Sequence, residues 1–246
     1  MLVVGGNISA SDLISDLHDI VSGPLYLSLR GKNEKLESIY NLPNVLLQAS
    51  VKSIHPTNGV ITVTFNDGTT ISGFDHVLFA TGFRINYPFF TPNPVTPSNR
   101  LSRFYQHILN IDNPSLAVVG QCRAALSFRV YEYQAVAVAR YFANHESKPL
   151  PSVTEQKDWE TKRLEYKGDS DRFHEIAPDF ESYFNWLQEF AGKPAVGSTA
   201  YELPRWDPIW ESQGLAILGL KDKYFREITE RKKKKEQQQG QLQAKL

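Results

Sequence analysis

Apolar residues along the chain follow two periods, and the places where one gives way to the other mark out its elements. "LVV" at 2–4 is an unbroken apolar run ending in two glycines, and it predicts a buried strand over residues 2–5. Leu13, Ile14, Leu17 and Val21 then recur at helical spacing, which predicts a helix over 9–21 with Ser9 or Ser11 as its N-cap. "PLYLSLR" (24–30) reads as a second strand, and "NVLLQASVKSIHP" (44–56) opens a third strand segment. "VITVTF" alternates in strand fashion, "NDG" supplies a tight hairpin turn, and a return strand follows. "DHVLFATG" is another buried strand. The order β-α-β, small antiparallel insert, closing β predicts an α/β fold with a Rossmann-like nucleotide-binding domain.

Residues 84–114 are rich in proline, asparagine and serine and read as a long connection. "SLAVVG" (115–120) predicts one more buried strand, and "VYEYQAVAVARYFAN" (130–144) a helix with an alanine-rich face. Residues 145–200 hold two or more polar helices, the clearest over 179–192 and stopped by Gly192. "YELPRWDPIWESQG" reads as an aromatic loop or short turn. Beyond Lys221 the chain becomes basic and glutamine-rich, and its end reads as disordered or as a frayed helix. The expected division is a nucleotide-binding domain over 1–83, a second part over 84–150, a helical extension over 151–225 and a disordered tail over 226–246.

Composition narrows the function. The 246 residues suffice for one large domain or two small ones, and 41% are hydrophobic. Basic and acidic residues balance at 27 each, so the overall field gives no reason to expect nucleic acid or an anionic membrane as partner. The one cysteine, Cys122, forms no internal disulfide and reads as a buried structural thiol in a reducing compartment. The apolar start is too short for a signal peptide, and no run is long enough for a transmembrane helix. A cytoplasmic address is expected, with peripheral endoplasmic reticulum association as the variant. The six histidines are scattered without metal-ligand spacing, and no Walker loop or nucleophile elbow occurs.

The first loop carries the candidate chemistry. A dinucleotide fingerprint needs glycines for a tight turn, for backbone approach to pyrophosphate and for helix–strand packing. Gly5, Asn7 and Ala10 occupy those positions, with Gly6 and Ser9 between them. Asn7 departs from the pattern, although asparagine tolerates left-handed angles. An ordinary strand–turn–helix would look the same. The second strand adds weight: "SLRGK" puts Ser28, Arg30 and Lys32 where a ribose-reading group belongs, with no acid at the strand end. Arginine suits the 2′-phosphate of NADP(H).

With the first loop, "SLRGK" and "DHVLFATGF" together, the chain resembles the flavin-containing monooxygenases, especially fungal-type members. The run "SLAVVGQ…FRVYEYQAVAVA" (115–139) adds to the likeness. The resemblance covers residues 1 to about 145 well and continues more loosely to about 220. It implies NADP(H) and FAD as cofactors, and dioxygen and a nucleophilic nitrogen- or sulfur-containing small molecule as reactants. It places Thr81 and Gly82 where the chain passes near both cofactors, and Gly120 and Gln121 against the flavin. The cofactors carry such chemistry, and no catalytic side chain is identified. The family's FAD loop lies upstream of its NADP loop, so the chain is expected to be the C-terminal part of a monooxygenase, with the N-terminal FAD-binding segment lacking and FAD held poorly. Two other functions fit the same residues: a non-catalytic NADP(H)-binding remnant, or an interaction protein acting through its C-terminal tail.

Overall fold

The computed structural model describes residues 1–144 and 147–243. The chain divides into two compact units: Met1–Phe83 with Ala216–Leu246, and Arg84–Leu215.

The first unit is built on a parallel sheet. Its strands are β1 (Leu2–Val4), β2 (Leu25–Ser28), β3 (Val45–Gln48) and, from later in the chain, Val77–Phe79. Three further strands precede that last one, namely β4 (Val51–Thr57), β5 (Val60–Phe65) and β6 (Thr70–Phe74), so it is β7. The parallel order is β3-β2-β1-β7, and the antiparallel sheet runs β4-β5-β6. The helix α1 (Ile8–Leu17) crosses from β1 to β2. Val3, Leu25, Leu27, Ala10 and Ile14 share one core, while Leu2, Val63, Phe65 and Phe74 form another beneath the insert.

Several boundaries differ from expectation. The helix starts at Ile8, so neither Ser9 nor Ser11 caps it. Ser9 lies exposed in its first turn, and the Ser11 hydroxyl donates back to the Asn7 carbonyl at 3.3 Å. It ends at Leu17, where Ile20 and Val21 N–H both fold onto the Leu17 carbonyl ahead of Gly23-Pro24. The single strand expected over 44–56 is two strands in different sheets, because the chain leaves the parallel sheet at Ala49-Ser50.

The second unit holds two short strands, β8 (Phe104–Tyr105) and β9 (Leu109–Asn110), and the helices α2 (Ser127–Phe142), α3 (Val153–Lys167) and α4 (Phe180–Ala191). Residues 115–120 do not form the expected strand. They make one bridge, Ala117 to Leu109, beside a β9 only two residues long, and Gly120 at φ 92° turns the chain away. The helix expected over 130–144 runs 127–142. Residues 84–150 and 151–215 are not separate bodies. Tyr133 and Ala137 of α2 share one core with Phe180, Phe184 and Leu187 of α4.

The helix α5 spans Pro208–Gln243, so the expected aromatic loop ends at Asp207, and residues 226–243 are helical rather than a disordered tail. Its Lys, Arg, Gln and Glu residues have high helix propensity, and pairs such as Asp222–Arg226 and Glu227–Arg231 lie one turn apart. Residues 244–246 lie outside the described residues. In the first unit, Phe225 is 1% exposed within the parallel-sheet core, and the buried Asp222 carboxylate accepts from Ser38 N–H at 3.2 Å. Asp222→Ala is expected to lower stability by about 2 kcal/mol, because it leaves that amide unpaired. Amide exchange at Ser38 would measure the loss. No helix among the described residues is long and apolar enough to cross a membrane.

Candidate functional site

The strand order changes direction between β1 and β7, and an open parallel sheet binds its ligand at the carboxyl ends of the strands flanking such a switch point. Gly5 follows β1 there with φ 146°, and its N–H donates to Ser28 O at 2.9 Å. A side chain on Gly5 would put Cβ only 2.3 Å from Ala80 O, so backbone meets backbone at this point. Ala80 N–H in turn donates to Val4 O at 2.8 Å. Gly6 has more room, since its Cβ would lie 3.4 Å from Leu29 Cβ.

Asn7 is the residue before α1, in extended conformation at φ −126°. The left-handed tolerance of asparagine is therefore not used. The strained angle falls on Gly5 instead. Behind Asn7, the N–H groups of Ile8, Ser9 and Ala10 form the first turn of α1, which by helix geometry has no carbonyl partners within the helix. No acidic side chain occupies that turn, so its positive end is uncompensated. Ala10 is buried against the sheet, as close helix packing requires.

At the end of β2, Ser28 is buried and its hydroxyl donates to Ala49 O at 2.8 Å, so it serves the fold. Arg30 and Lys32 are exposed, and the Lys32 ammonium stands over the Tyr40 ring at 5.9 Å. Tyr40 anchors the same turn by accepting from Asn33 N–H at 2.8 Å. Thr81 and Gly82 follow β7, both exposed, with Gly82 at φ 81°. Gly5, Gly6, Asn7, Ser9, Ala10, Ser28, Arg30, Lys32, Thr81 and Gly82 all belong to the first unit. In the sequence Ala80 stands out only as the first residue of the "ATG" segment, with no sign that its carbonyl dictates Gly5. Only the strand pairing reveals it.

Gly120 and Gln121 belong to the second unit. Gly120 N–H donates to Gln134 Oε1 at 2.9 Å, and Gln121 Oε1 accepts from the Tyr87 hydroxyl at 2.9 Å. Gln134 is fully buried, and its Nε2 donates to Cys122 Sγ at 3.0 Å and to the Tyr183 hydroxyl at 2.9 Å. Burial pushes the Cys122 thiol up to about 12, so it stays protonated at neutral pH. Trp206 and Trp210 pack on Phe184, while Trp159 and Trp186 line a separate cavity.

Residues 28–208 match the family described as flavin-binding monooxygenase-like. The flavin-containing monooxygenase ustF2 of Aspergillus flavus is 21% identical over 93% of this chain and 50% of its own length. Senecionine N-oxygenase of Tyria jacobaeae is 27% identical over 80% of this chain and 43% of its own. Among solved structures, S-allyl-L-cysteine S-oxygenase from Allium sativum superposes with a TM-score of 0.64 at 22% identity, covering 91% of this chain and 48% of that one. The chain thus spans about half the length of the relatives it matches, or somewhat less.

Proposed function

Because the chain belongs to the flavin-binding monooxygenase-like family, we propose that its first unit binds NADP(H) and that it serves the NADPH- and FAD-dependent oxygenation of a nitrogen- or sulfur-containing small molecule. The observation that carries the reading is the Gly5 turn. A Gly-Gly turn, pressed on the Ala80 carbonyl where only glycine fits, leads into a helix start free of acidic residues in a β3-β2-β1-β7 parallel sheet. In this reading Gly5, Gly6 and the first turn of α1 hold the pyrophosphate. Arg30 holds the 2′-phosphate with its forked donors, and Lys32 adds charge beside it. Ser28 contributes by fixing the strand end rather than by touching the ligand.

When bound, the nicotinamide supplies reducing power and the flavin supplies oxygen activation; the side chains bind and orient. The N- and S-oxygenases among the relatives support the substrate class. The two residues expected beside the flavin fit that role less well. The Gly120 N–H and the Gln121 side-chain oxygen Oε1 are already bonded within the chain, so neither is assigned a part in holding FAD. That commitment favours a second, narrower reading, in which the chain is an NADP(H)-binding module without oxygenase chemistry of its own.

Calorimetric titration separates these. NADPH is expected to bind more tightly than NADH, and Arg30→Ala is expected to weaken NADPH about 10-fold while leaving NADH unchanged. Equal loss for both nucleotides, or no binding by either, would overturn the NADP(H) assignment. Oxygen-dependent NADPH consumption after FAD is added supports the oxygenase reading; binding without consumption supports the narrower one.

A further inference from the structure

The turn joining β8 to β9 has Gln106 and His107 at its centre. Ile108 N–H donates to Tyr105 O at 3.1 Å, and both central residues have positive φ, 48° and 64°. Such turns are normally made by Asn-Gly, because each left-handed residue with a larger side chain costs about 1 kcal/mol. Here the strained position carries an imidazole into the interior, and His107 is 1% exposed. Strain of this kind persists where the surroundings over-determine it, often at a ligand clamp.

The hydrogen bonds fix where the proton sits. Leu101 N–H donates to His174 Nε2 at 3.0 Å, so a neutral His174 carries its proton on Nδ1. That Nδ1–H faces His107 Nδ1 at 3.1 Å and donates to it, leaving the His107 proton on Nε2. Nε2 has no hydrogen-bond partner among the described residues, and His107 lines a cavity of about 220 Å³.

The cavity walls are aromatic. Trp159 and Trp186 line it, each held edge-on by Tyr105 at 5.4 and 5.6 Å between ring centres. Its charges are already satisfied. The Arg163 guanidinium donates to Phe173 O, Glu175 O and the Asp179 carboxylate. A cation would compete with Arg163 for Asp179, and an anion would compete with Asp179 for Arg163. Drug-sized ligands occupy roughly 300–1,000 Å³, so this cavity suits a smaller body.

We propose that the cavity is a binding site for a small uncharged heteroaromatic molecule of one or two rings, whose ring nitrogen or carbonyl oxygen accepts from His107 Nε2–H while its faces meet Trp159 and Trp186. The site lies wholly within the second unit and does not rest on the dinucleotide reading. Quinoline and naphthalene test it, since they share a shape and differ in the acceptor. Both are titrated into the full chain at pH 8, where quinoline is neutral, with tryptophan fluorescence as the signal. Quinoline is expected to saturate and to bind about 10-fold more tightly than naphthalene. His107→Phe should abolish the preference. Ser182→Trp, at the exposed rim, should block both ligands while leaving the unfolding midpoint and the NADPH titration unchanged. If His107→Phe does not fold, Ser182→Trp decides alone. No saturation by quinoline, equal affinity for the two ligands in the unaltered chain, or quinoline binding that survives Ser182→Trp overturns the proposal.

Discussion

Gly5→Ala is expected to cost the first unit about 3 kcal/mol and to abolish NADPH binding, whereas Gly6→Ala, one residue on, is expected to cost less than about 1 kcal/mol. The difference comes from what each new methyl group meets. At Gly5 the Cβ would stand 2.3 Å from the Ala80 carbonyl oxygen and 2.9 Å from its carbon, and the partner is backbone pinned in a parallel ladder. It has no rotamer by which to move aside. The φ of 146° adds a conformational penalty for any residue with a side chain. At Gly6 the nearest atom is Leu29 Cβ at 3.4 Å, an ordinary contact. The first unit contains no tryptophan, since Trp159, Trp186, Trp206 and Trp210 all lie within 84–215. The measurement is therefore hydrogen exchange at the Gly5 and Ala80 amides, which donate to Ser28 O and Val4 O. Lost protection at both amides in Gly5→Ala, with protection kept in Gly6→Ala, is the expected pattern. Protection kept equally in both variants would mean that the loop yields and that Gly5 is not part of a rigid cradle.

The sequence made the first unit legible because its signals were local. An apolar run before two glycines, a helical period and a hairpin turn each fix their own segment, and the strands then pair in the simplest parallel order. The Gly5 position was readable as a turn. Its necessity was not, because Ala80 is far away in sequence and only the β1–β7 pairing brings its carbonyl close. The apolar run at 115–120 misled for a related reason. Such a run signals burial but names no partner, and among the described residues only Leu109 forms a bridge with it. The charged, glutamine-rich end of the chain lacks an apolar stripe, so its helix was hidden from periodicity, although its residues favour helix one by one. Gln106-His107 gave no signal at all. The pair lacks the Asn-Gly signature of such a turn, and the cavity they help to line draws on α3 and α4 from later in the chain.

The same histidines set the largest expected effect of pH. Burial is the first cause that holds both imidazoles neutral; His174 falls to about 3, and His107 lies well below its ordinary value. The surroundings reinforce this. His107 faces His174 and feels Arg163, while His174 feels Arg100 and Arg163. Those guanidiniums are themselves paired, Arg100 with Glu160 and Asp169 and Arg163 with Asp179. The Arg100 hydrogen bond keeps the Asp169 carboxyl below its usual range. Tyr183, the other titratable side chain against the pair, is pushed well above 10 by burial and stays neutral. A histidine with a depressed folded pKa stabilises fully above its unfolded value near 6.5 and loses that contribution as the pH falls. Each imidazole that stays neutral in the fold while protonating in the unfolded chain removes roughly 3 kcal/mol between pH 6.5 and pH 4. The second unit is therefore expected to unfold in mild acid, before its paired carboxylates are protonated. Urea titrations followed by tryptophan fluorescence at pH 7, 6, 5 and 4 report on this unit alone. His174→Gln keeps an acceptor for Leu101 N–H and a donor for His107 Nδ1, yet does not titrate. It should halve the acid slope, from two protons taken up on unfolding to one. An unchanged slope in His174→Gln would show that the acid sensitivity comes from elsewhere, and that the neutral, proton-ordered pair assigned to His107 and His174 is wrong.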